Sequence, residues 1–194
     1  MNFPIRFKNV LTKKDFIYLQ DDLREWHLNN FSNMKTKEYD YSKKFFGQVD
    51  RENLMHFWKA STTISLKVKL TLKKKLHIIR LQSGGKLFGT SPNFHVDYSE
   101  QYGCYTFVLF TCMHWDTNWG GEFIAQDPET SEYKYVPYIP NTGVLIPSHW
   151  QHTGSPPLTN EAGIRTSVAF MYAPYDKVDT MLSEFPDIHK FQRG

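Results

Sequence analysis

The stretch CYTFVLFTCMHWDTNWGGEFIA, residues 104–125, has the composition of two β-strands joined by a turn. Aromatic and β-branched residues are concentrated over Cys104–Cys112, and a second apolar run covers Glu122–Ala125, as is typical of strands. Gly120 and Gly121 lie between the two runs and indicate a turn. We therefore predict a strand over each run.

Further strands are predicted on both sides of this stretch, because apolar segments alternate there with turn residues. The turn residues are Ser83-Gly84-Gly85 and Ser91-Pro92-Asn93 on the N-terminal side, and Pro140-Asn141 and Pro156-Pro157 on the C-terminal side. The additional strands predicted are His77–Leu81, Asn93–Asp97, Tyr133–Tyr138, Gly143–Ile146, a short one at Gln151–Thr153, and Ile164–Tyr172.

The N-terminal part of the chain has helical patterns instead. Thr12 is suited to cap a helix, Asp15 places an acid in its first turn, and apolar residues recur at helical spacing over Phe16–Trp26. A second helical pattern covers Glu52–Trp58. The apolar residues of 64–72 then alternate as in a strand, so this segment fits either structure.

Helices followed by about eight short strands predict a mainly β fold with flanking helices, either a β-sandwich or a jelly-roll barrel buttressed by the N-terminal helices. A chain of 194 residues fits a single domain. We expect helical support over about 1–75, a barrel over about 76–173, and a short C-terminal tail or helix.

The net charge is +3, and much of the basic excess lies in the run KVKLTLKKK, Lys67–Lys75. Such a run can bind nucleic acid or an anionic membrane. However, no aromatic residues are interleaved with these lysines to stack on bases. A solvated face or a charged edge strand is therefore the favoured interpretation.

The N-terminus MNFPIRFKNV lacks the apolar core of a signal peptide, and no run of about 18 apolar residues could cross a membrane. Cys104 and Cys112 lie in one predicted strand, where their spacing corresponds to roughly 26 Å, too far for a disulfide. We therefore expect free thiols, a cytoplasmic location and no membrane partner.

His95-Val96-Asp97, together with the later His152, is the strongest candidate for a chemical site. Alternate residues of a strand point to the same side, so His95 and Asp97 can bind one metal ion. His152, from another predicted strand, would complete a set of two imidazoles and one carboxylate. This set is typical of non-haem iron(II) oxygenases, and it leaves open positions for a 2-oxo acid and O2.

Other histidines compete for these roles. His114-Trp115-Asp116 is a second His-x-Asp sequence, so the motif alone is not specific. His149 lies three residues before His152 and could replace it as the distal ligand. Trp150, between the two, fits equally well at the mouth of a site or in a packing interface.

Arg165 lies in the apolar predicted strand Ile164–Tyr172, where a charged side chain is costly unless it has a partner. A guanidinium can bind the distal carboxylate of a 2-oxo diacid through two parallel hydrogen bonds. Ser167 would lie on the same strand face and could add a hydroxyl donor. The alternative is an arginine in the barrel wall whose charge reaches the surface.

Three segments together resemble the prolyl-hydroxylase branch of the iron(II)- and 2-oxoglutarate-dependent oxygenases. They are HVDYSEQYGCYTFVLFTCMHWDTNWGGEF from His95, GVLIPSHWQHTGSPP from Gly143, and IRTSVAFMY from Ile164. The resemblance covers about Leu76 to Tyr172. It implies a double-stranded β-helix of the jelly-roll or cupin type, with iron(II), 2-oxoglutarate and O2, and with ascorbate as an optional reductant.

The resemblance carries functional roles to individual positions. The family's iron ligands match His95, Asp97 and His152. The cation for 2-oxoglutarate matches Arg165, and Thr106 matches a threonine whose hydroxyl faces the cosubstrate, while Ser167 adds a further cosubstrate contact. His114-Trp115-Asp116 matches a turn after that strand, which argues against a metal site there.

The sequence also departs from the family pattern. Phe110 stands where some relatives have a tyrosine that helps to bind the distal carboxylate, and Leu81 replaces another tyrosine. The stretches Ser83–Phe94 and Gly154–Gly163 are longer than usual. Both should lie near the mouth of the site, where a substrate enters.

The implied activity is hydroxylation of a prolyl or other peptidyl residue, with conversion of 2-oxoglutarate to succinate and CO2. An oxygenase of free amino acids or other small molecules is the main alternative. A nucleic-acid demethylase would have a second arginine six residues after Arg165, where this chain has Met171. A non-catalytic binding barrel is disfavoured because all three ligands are present.

Overall fold

The computed structural model describes residues 2–31, 44–45 and 55–185, which form nine β-strands and three α-helices. The predicted mainly β fold with flanking helices is confirmed. The strands are β1 (Ile5–Phe7), β2 (Lys44–Phe45), β3 (Leu76–Lys86), β4 (Tyr105–Phe110), β5 (Phe123–Gln126), β6 (Tyr133–Val136), β7 (Gly143–Pro147), β8 (His152–Gly154) and β9 (Arg165–Pro174). The helices are α1 (Lys13–Phe31), α2 (Met55–Leu72) and α3 (Val178–Glu184).

The strands pair antiparallel into two sheets. One has six strands in the order β1-β7-β4-β9-β3-β2, and the other has three strands in the order β6-β5-β8. An isolated antiparallel bridge between His95 and His152 extends the smaller sheet to the segment that carries Asp97. Side chains of β4 alternate between two cores: Phe107 packs with the helices, and Phe110 packs with residues of the smaller sheet.

The N-terminal helices cover one face of the six-stranded sheet, as predicted. Leu19 of α1 and Phe57 and Ile64 of α2 are buried in the same cluster as Phe107 and Phe170 of the sheet. The predicted helix cap is confirmed, because the backbone N–H of Asp15 donates to Thr12 Oγ1 over 3.1 Å.

The segment 64–72, which fitted either helix or strand, is helical. Ile64, Val68 and Leu72 are buried at a spacing of four residues, whereas Leu66 and Leu70 are exposed. Residues 52–54 of the second predicted helix lie outside the described residues.

The lysine run occupies the end of α2 and the turn after it. Lys67 and Lys69 are half-buried, and the lysines of 73–75 are exposed. α2 packs against the face of the sheet that carries Phe107, and the neighbouring Val108 faces the opposite way. The run is therefore on the helical side of the six-stranded sheet.

The prediction of a turn at Ser83-Gly84-Gly85 is wrong. β3 continues through these residues to Lys86, in register with β9, so that Gly84 faces Ser167 and Gly85 faces Thr166. A Cβ atom at Gly85 would lie 2.8 Å from Ile164. This glycine therefore allows close approach of a neighbouring strand rather than a change of direction.

The predicted strand Asn93–Asp97 is reduced to a single bridging residue, His95. The reason is that the pairing with β8 ends after His95, because the next N–H on that side, that of Asp97, donates to Ser148 O over 3.0 Å instead of to a residue of β8. The other predicted strands are confirmed with shifted ends, and β1, which pairs with β7, was not predicted.

Cys104 and Cys112 are free thiols that flank β4. Burial raises the pKa of Cys104 to about 12, whereas Cys112 is half-buried. No helix in the described part of the chain combines the length and the apolar character needed to cross a membrane.

We expect iodoacetamide at pH 8 to alkylate Cys112 of the folded protein faster than Cys104, because Cys104 is both buried and protonated. Mass spectrometry of peptides after timed quenching measures the two rates. In guanidinium chloride the rates should become similar. Equal rates in the folded protein would contradict the burial of Cys104.

Candidate functional site

A cavity opens between the two sheets near the bridge between His95 and His152. Its walls come from β3, β4 and β9 of the larger sheet, from β5 and β8 of the smaller one, and from the segment 93–97. All three predicted metal ligands line this cavity, together with Arg165 and Ser167.

The three predicted ligands converge on one point. His95 Nε2 lies 3.6 Å from Asp97 Oδ1, and His152 Nε2 lies 3.4 Å from Asp97 Oδ2. One ligand atom from each residue lies within 4.8 Å of the others. The side chains of Asp97 and His152 are buried, and that of His95 is partly exposed.

Hydrogen bonds of the imidazoles orient both rings toward Asp97. His95 Nδ1 lies 3.0 Å from Asn93 O, and His152 Nδ1 lies 2.8 Å from Trp150 O. A carbonyl can only accept, so each Nδ1 carries a hydrogen, and each ring, when neutral, has its lone pair on Nε2. Two imidazole lone pairs and a carboxylate therefore face one another, an arrangement that a divalent cation stabilises.

Asp97 is held in its ionised form. In the metal-free site, burial raises the pKa of Asp97, but its contacts with the His152 and His95 imidazoles and the hydrogen bond from Thr106 outweigh this effect and lower the pKa to about 2. Thr106 Oγ1 donates to Asp97 Oδ2 over 2.6 Å and lies 2.8 Å from Ser148 Oγ. The carboxylate is thus fixed in position and available to a cation at neutral pH.

Arg165 is buried with an incomplete set of partners. Its Nε donates to Gly121 O over 2.7 Å, and Nη1 lies 3.4 Å from Ser167 Oγ. Among the described residues, nothing accepts a hydrogen bond from the buried Nη2. Burial lowers the pKa of this guanidinium, which measures the cost of holding the charge away from water.

Aromatic rings and a glycine surround the guanidinium of Arg165. Its Cζ atom lies 4.7 Å from the ring centroid of Tyr138 and 5.5 Å from that of Phe110. A Cβ atom at Gly154 would lie 2.7 Å from the same Cζ atom. The side chain of Arg165 is therefore enclosed between flat rings and a strand that has no side chain at this point.

The competing histidines lie elsewhere. His114 is exposed, and Asp116 caps the turn Thr117–Trp119, as the resemblance implied. His149 does not join the cluster of candidate ligands found among the described residues. Trp150 is buried in the core between the sheets, so its packing role is confirmed.

Thr106 lies beside Asp97, and Phe110 lies beside Arg165. Thr106 is fully buried, and its hydroxyl contacts Asp97. Phe110 stacks on Tyr138 with ring centroids 4.7 Å apart, and the Tyr138 hydroxyl donates to Thr166 O. A contact between Thr106 and a cosubstrate stays a prediction.

Several residues of the site were not predicted. Gln82 lines the cavity from β3, and Lys86 lines it because β3 continues straight through Gly84 and Gly85. Ser148 O accepts from the Asp97 N–H, and Gly154, which has no side chain, leaves space for the guanidinium of Arg165. The sequence signal for Gln82 and Lys86 is strand alternation, which places them on one face only if β3 extends to Lys86.

Solved structures share this fold. A prolyl hydroxylase from Trichoplax adhaerens, in complex with a hypoxia-inducible factor oxygen-degradation-domain peptide fragment, superposes with a TM-score of 0.69 at 12% identity over 91% of this chain and 86% of its own. A prolyl-4-hydroxylase from Pseudomonas putida gives 0.61 at 13% identity over 88% and 91%. HygX from Streptomyces hygroscopicus, with nickel and 2-oxoglutarate bound, gives 0.64 at 9% identity over 88% and 82%.

No protein-family model and no curated protein sequence matches this chain. At these identities the structural likeness concerns the fold, and in that respect the resemblance inferred from the sequence is confirmed.

We expect Mn²⁺ to raise the melting temperature of the protein, and His152→Ala to abolish that rise. A ligand at a hundred times its Kd stabilises a fold by about 2.7 kcal/mol, a shift that thermal scanning resolves easily. His114→Ala and His149→Ala are the matched controls and should keep the rise. Loss of the rise in His114→Ala, with retention in His152→Ala, would show that the wrong ligands were chosen.

Proposed function

We propose that this protein is an iron(II)- and 2-oxoglutarate-dependent oxygenase that hydroxylates a substrate C–H bond. The observation that carries the proposal is the presence, in one cavity, of a converging His–Asp–His set and a buried guanidinium. The first is a donor set for iron(II), and the second needs an anion.

His95, Asp97 and His152 would hold the metal. When bound, iron(II), 2-oxoglutarate and O2 supply the oxidation, with release of succinate and CO2, and ascorbate is an optional reductant. The chain's own residues bind, orient and exclude water. Backbone carbonyls fix the imidazole rings, and Thr106 fixes the carboxylate.

Arg165 would bind the distal carboxylate of 2-oxoglutarate, and Ser167 would add a hydroxyl contact. The charge of Arg165 is buried and Nη2 has no acceptor among the described residues, so a carboxylate entering the cavity would complete its hydrogen bonds. No acidic side chain among the described residues stands in the cavity besides Asp97. Arg165 is therefore suited to an anion that comes from solution.

For the substrate, we propose a prolyl or other peptidyl residue. Two proteins of this fold are named prolyl hydroxylases, and one of them is in complex with a peptide fragment. A free amino acid or another small molecule is the alternative substrate. A nucleic-acid substrate is disfavoured for two reasons. Met171 lines the cavity at the position where a nucleic-acid demethylase would have a second arginine, and the lysine run lies on the other face of the sheet.

The same proposal includes the organisation of the chain. We propose that the two sheets are the walls of a double-stranded β-helix, that residues 1–194 form a single oxygenase domain, and that the protein is cytoplasmic. The thiols of Cys104 and Cys112 favour a reducing location.

The test is turnover of 2-oxoglutarate to succinate in the presence of iron(II) and O2. Arg165→Ala should lower the affinity for 2-oxoglutarate at least about tenfold, since a charge-assisted hydrogen bond contributes about 1.5–3 kcal/mol to binding. Arg165→Lys should have an intermediate affinity for 2-oxoglutarate, because an ammonium keeps the positive charge but lacks the two parallel N–H donors of a guanidinium. Ser167→Ala should lose less binding free energy for 2-oxoglutarate, about 0.5–1.5 kcal/mol, the net value of a neutral hydrogen bond.

Metal affinity without cosubstrate should be nearly unchanged in these variants. Arg6→Ala, which removes an exposed arginine on β1, is the control for loss of a positive charge. Unaltered 2-oxoglutarate binding in Arg165→Ala would refute the role of this arginine. Absence of succinate formation by the metal-loaded wild type would refute the oxygenase.

Gly154→Ala should weaken the binding of 2-oxoglutarate although residue 165 remains an arginine, because the added methyl group would overlap the guanidinium and displace it. Gly84→Ala is the matched control: it adds a methyl group to another strand glycine of the cavity, with no atom within 4 Å. Calorimetric titration with 2-oxoglutarate compares the two. A larger loss in Gly84→Ala than in Gly154→Ala would contradict the packing described for Arg165.

A further inference from the structure

We propose that the substrate is a peptide whose flank docks on an exposed patch beside the cavity, an inference that rests on the proposed function. The exposed patch consists of Phe94, Val96, Tyr133 and Tyr135, and it adjoins an acidic turn at residues 127–132. The substrate class would then be a peptide with apolar and basic residues next to the residue that is hydroxylated.

The register of β6 directs its tyrosines away from the core. Phe123 of β5 pairs with Val136 of β6, and both side chains are buried in the cluster between the two sheets. Side chains alternate along a strand, so Tyr133 and Tyr135 lie on the opposite, outer face of the smaller sheet. Their exposed fractions are 49% and 64%. Two rings of one strand therefore offer apolar surface to a ligand.

The segment 93–97 connects the exposed patch to the cavity. The rings of Phe94 and Tyr133 are in edge contact, with centroids 5.8 Å apart. His95 lines the cavity, and its neighbours Phe94 and Val96 are 38% and 48% exposed. One side of this segment thus contributes a candidate metal ligand and the other side contributes half of the exposed patch. A peptide with one residue in the cavity needs only a few more residues to reach the patch.

The chemistry of the exposed patch suits an extended peptide. Contiguous exposed apolar side chains on a protein surface mark a binding surface more often than isolated ones do. Aromatic rings provide a large contact area at a small cost in side-chain entropy. Proline and other apolar residues of an extended segment pack against such rings. The flank of a prolyl substrate meets these requirements.

The acidic turn determines the charge of this flank. The hairpin formed by β5 and β6 contains three carboxylates, those of Asp127, Glu129 and Glu132, and one ammonium, that of Lys134. The ammonium lies 2.6 Å from Glu132 Oε2, so it offsets one of the three negative charges. An excess of negative charge is left next to Tyr133, although the chain as a whole carries +3. Charge complementarity therefore favours basic residues in the flank.

The experiment uses the full-length protein loaded with Mn²⁺ and 2-oxoglutarate without O2, titrated calorimetrically with proline-containing peptides. The peptides share their apolar residues and differ in a flank of Lys, Gln or Glu residues, placed before or after the proline. In at least one orientation, the Lys peptide should bind at least about tenfold more tightly than the Glu peptide. About 1 M salt should reduce this ratio, because it shortens the Debye length to about 3 Å.

Variants test the apolar and the charged part of the surface separately. Tyr133→Ser should lower the affinity for the Lys peptide at least about threefold at both low and high salt, because apolar contact area is lost. Tyr175→Ser is the matched control and should bind like the wild type, since this exposed tyrosine also makes one edge contact with centroids 5.8 Å apart. Glu129→Lys should remove most of the preference for Lys over Glu, and Asp179→Lys, at an exposed acid of α3, should keep it.

Three results would overturn the proposal. They are the absence of any preference for the Lys peptide in wild-type protein that binds Mn²⁺ and 2-oxoglutarate, a preference that is unchanged in Glu129→Lys, and an affinity for the Lys peptide that is unchanged in Tyr133→Ser. Affinity for 2-oxoglutarate should be that of the wild type in both variants, because neither residue is in the described lining of the cavity. Failure of the wild type to bind Mn²⁺ or 2-oxoglutarate appears before any peptide is added and refutes the proposed function itself.

Discussion

The site depends on one pair of reciprocal backbone hydrogen bonds. His95 N–H donates to His152 O over 3.1 Å, and His152 N–H donates to His95 O over 2.9 Å. This exchange fixes two residues that are far apart in sequence directly opposite each other, with ring centroids 4.5 Å apart. It also attaches the segment that carries Asp97 to the smaller sheet. Without this pair, the segment that carries His95 and Asp97 would be held near His152 only by the bond from Asp97 N–H to Ser148 O and by side-chain contacts such as that of Thr106 with Asp97.

A second constraint is the burial of two opposite charges, those of Asp97 and Arg165, in the lining of one cavity. Asp97 is supported by Thr106 and its neighbouring imidazoles, and Arg165 by Gly121 O and aromatic rings. The two side chains form no ion pair with each other, so a counterion from solution would further offset the desolvation of each. A ligand that is both a metal chelator and a diacid meets the two demands together. Stability and ligand choice thus have the same physical cause.

Local sequence patterns were sufficient for much of this structure. His95 and Asp97 were predicted from the alternation of strand residues, and Arg165 from a charge in an apolar strand; both are short-range properties of the sequence. Features that depend on distant partners were not predicted: Gly84-Gly85 indicated a turn, but pairing with β9 keeps β3 extended, and this brings Lys86 into the cavity. In the same way, packing against the sheet selected a helix for residues 64–72, where alternation alone fitted a strand equally well.

The brevity of the pairing around His95 has a kinetic consequence. The segment 93–97 has no ladder beyond the single bridge and the bond from Asp97 N–H to Ser148 O. Local opening of a few hydrogen bonds would therefore detach His95 and Asp97 together while His152 stays in β8 with its neighbour β5. A metal held there would dissociate in one concerted event rather than ligand by ligand. The residence time of the metal would then be governed by the free energy of opening the segment 93–97. A ligand in the cavity that contacts this segment would raise that free energy and lengthen the residence time.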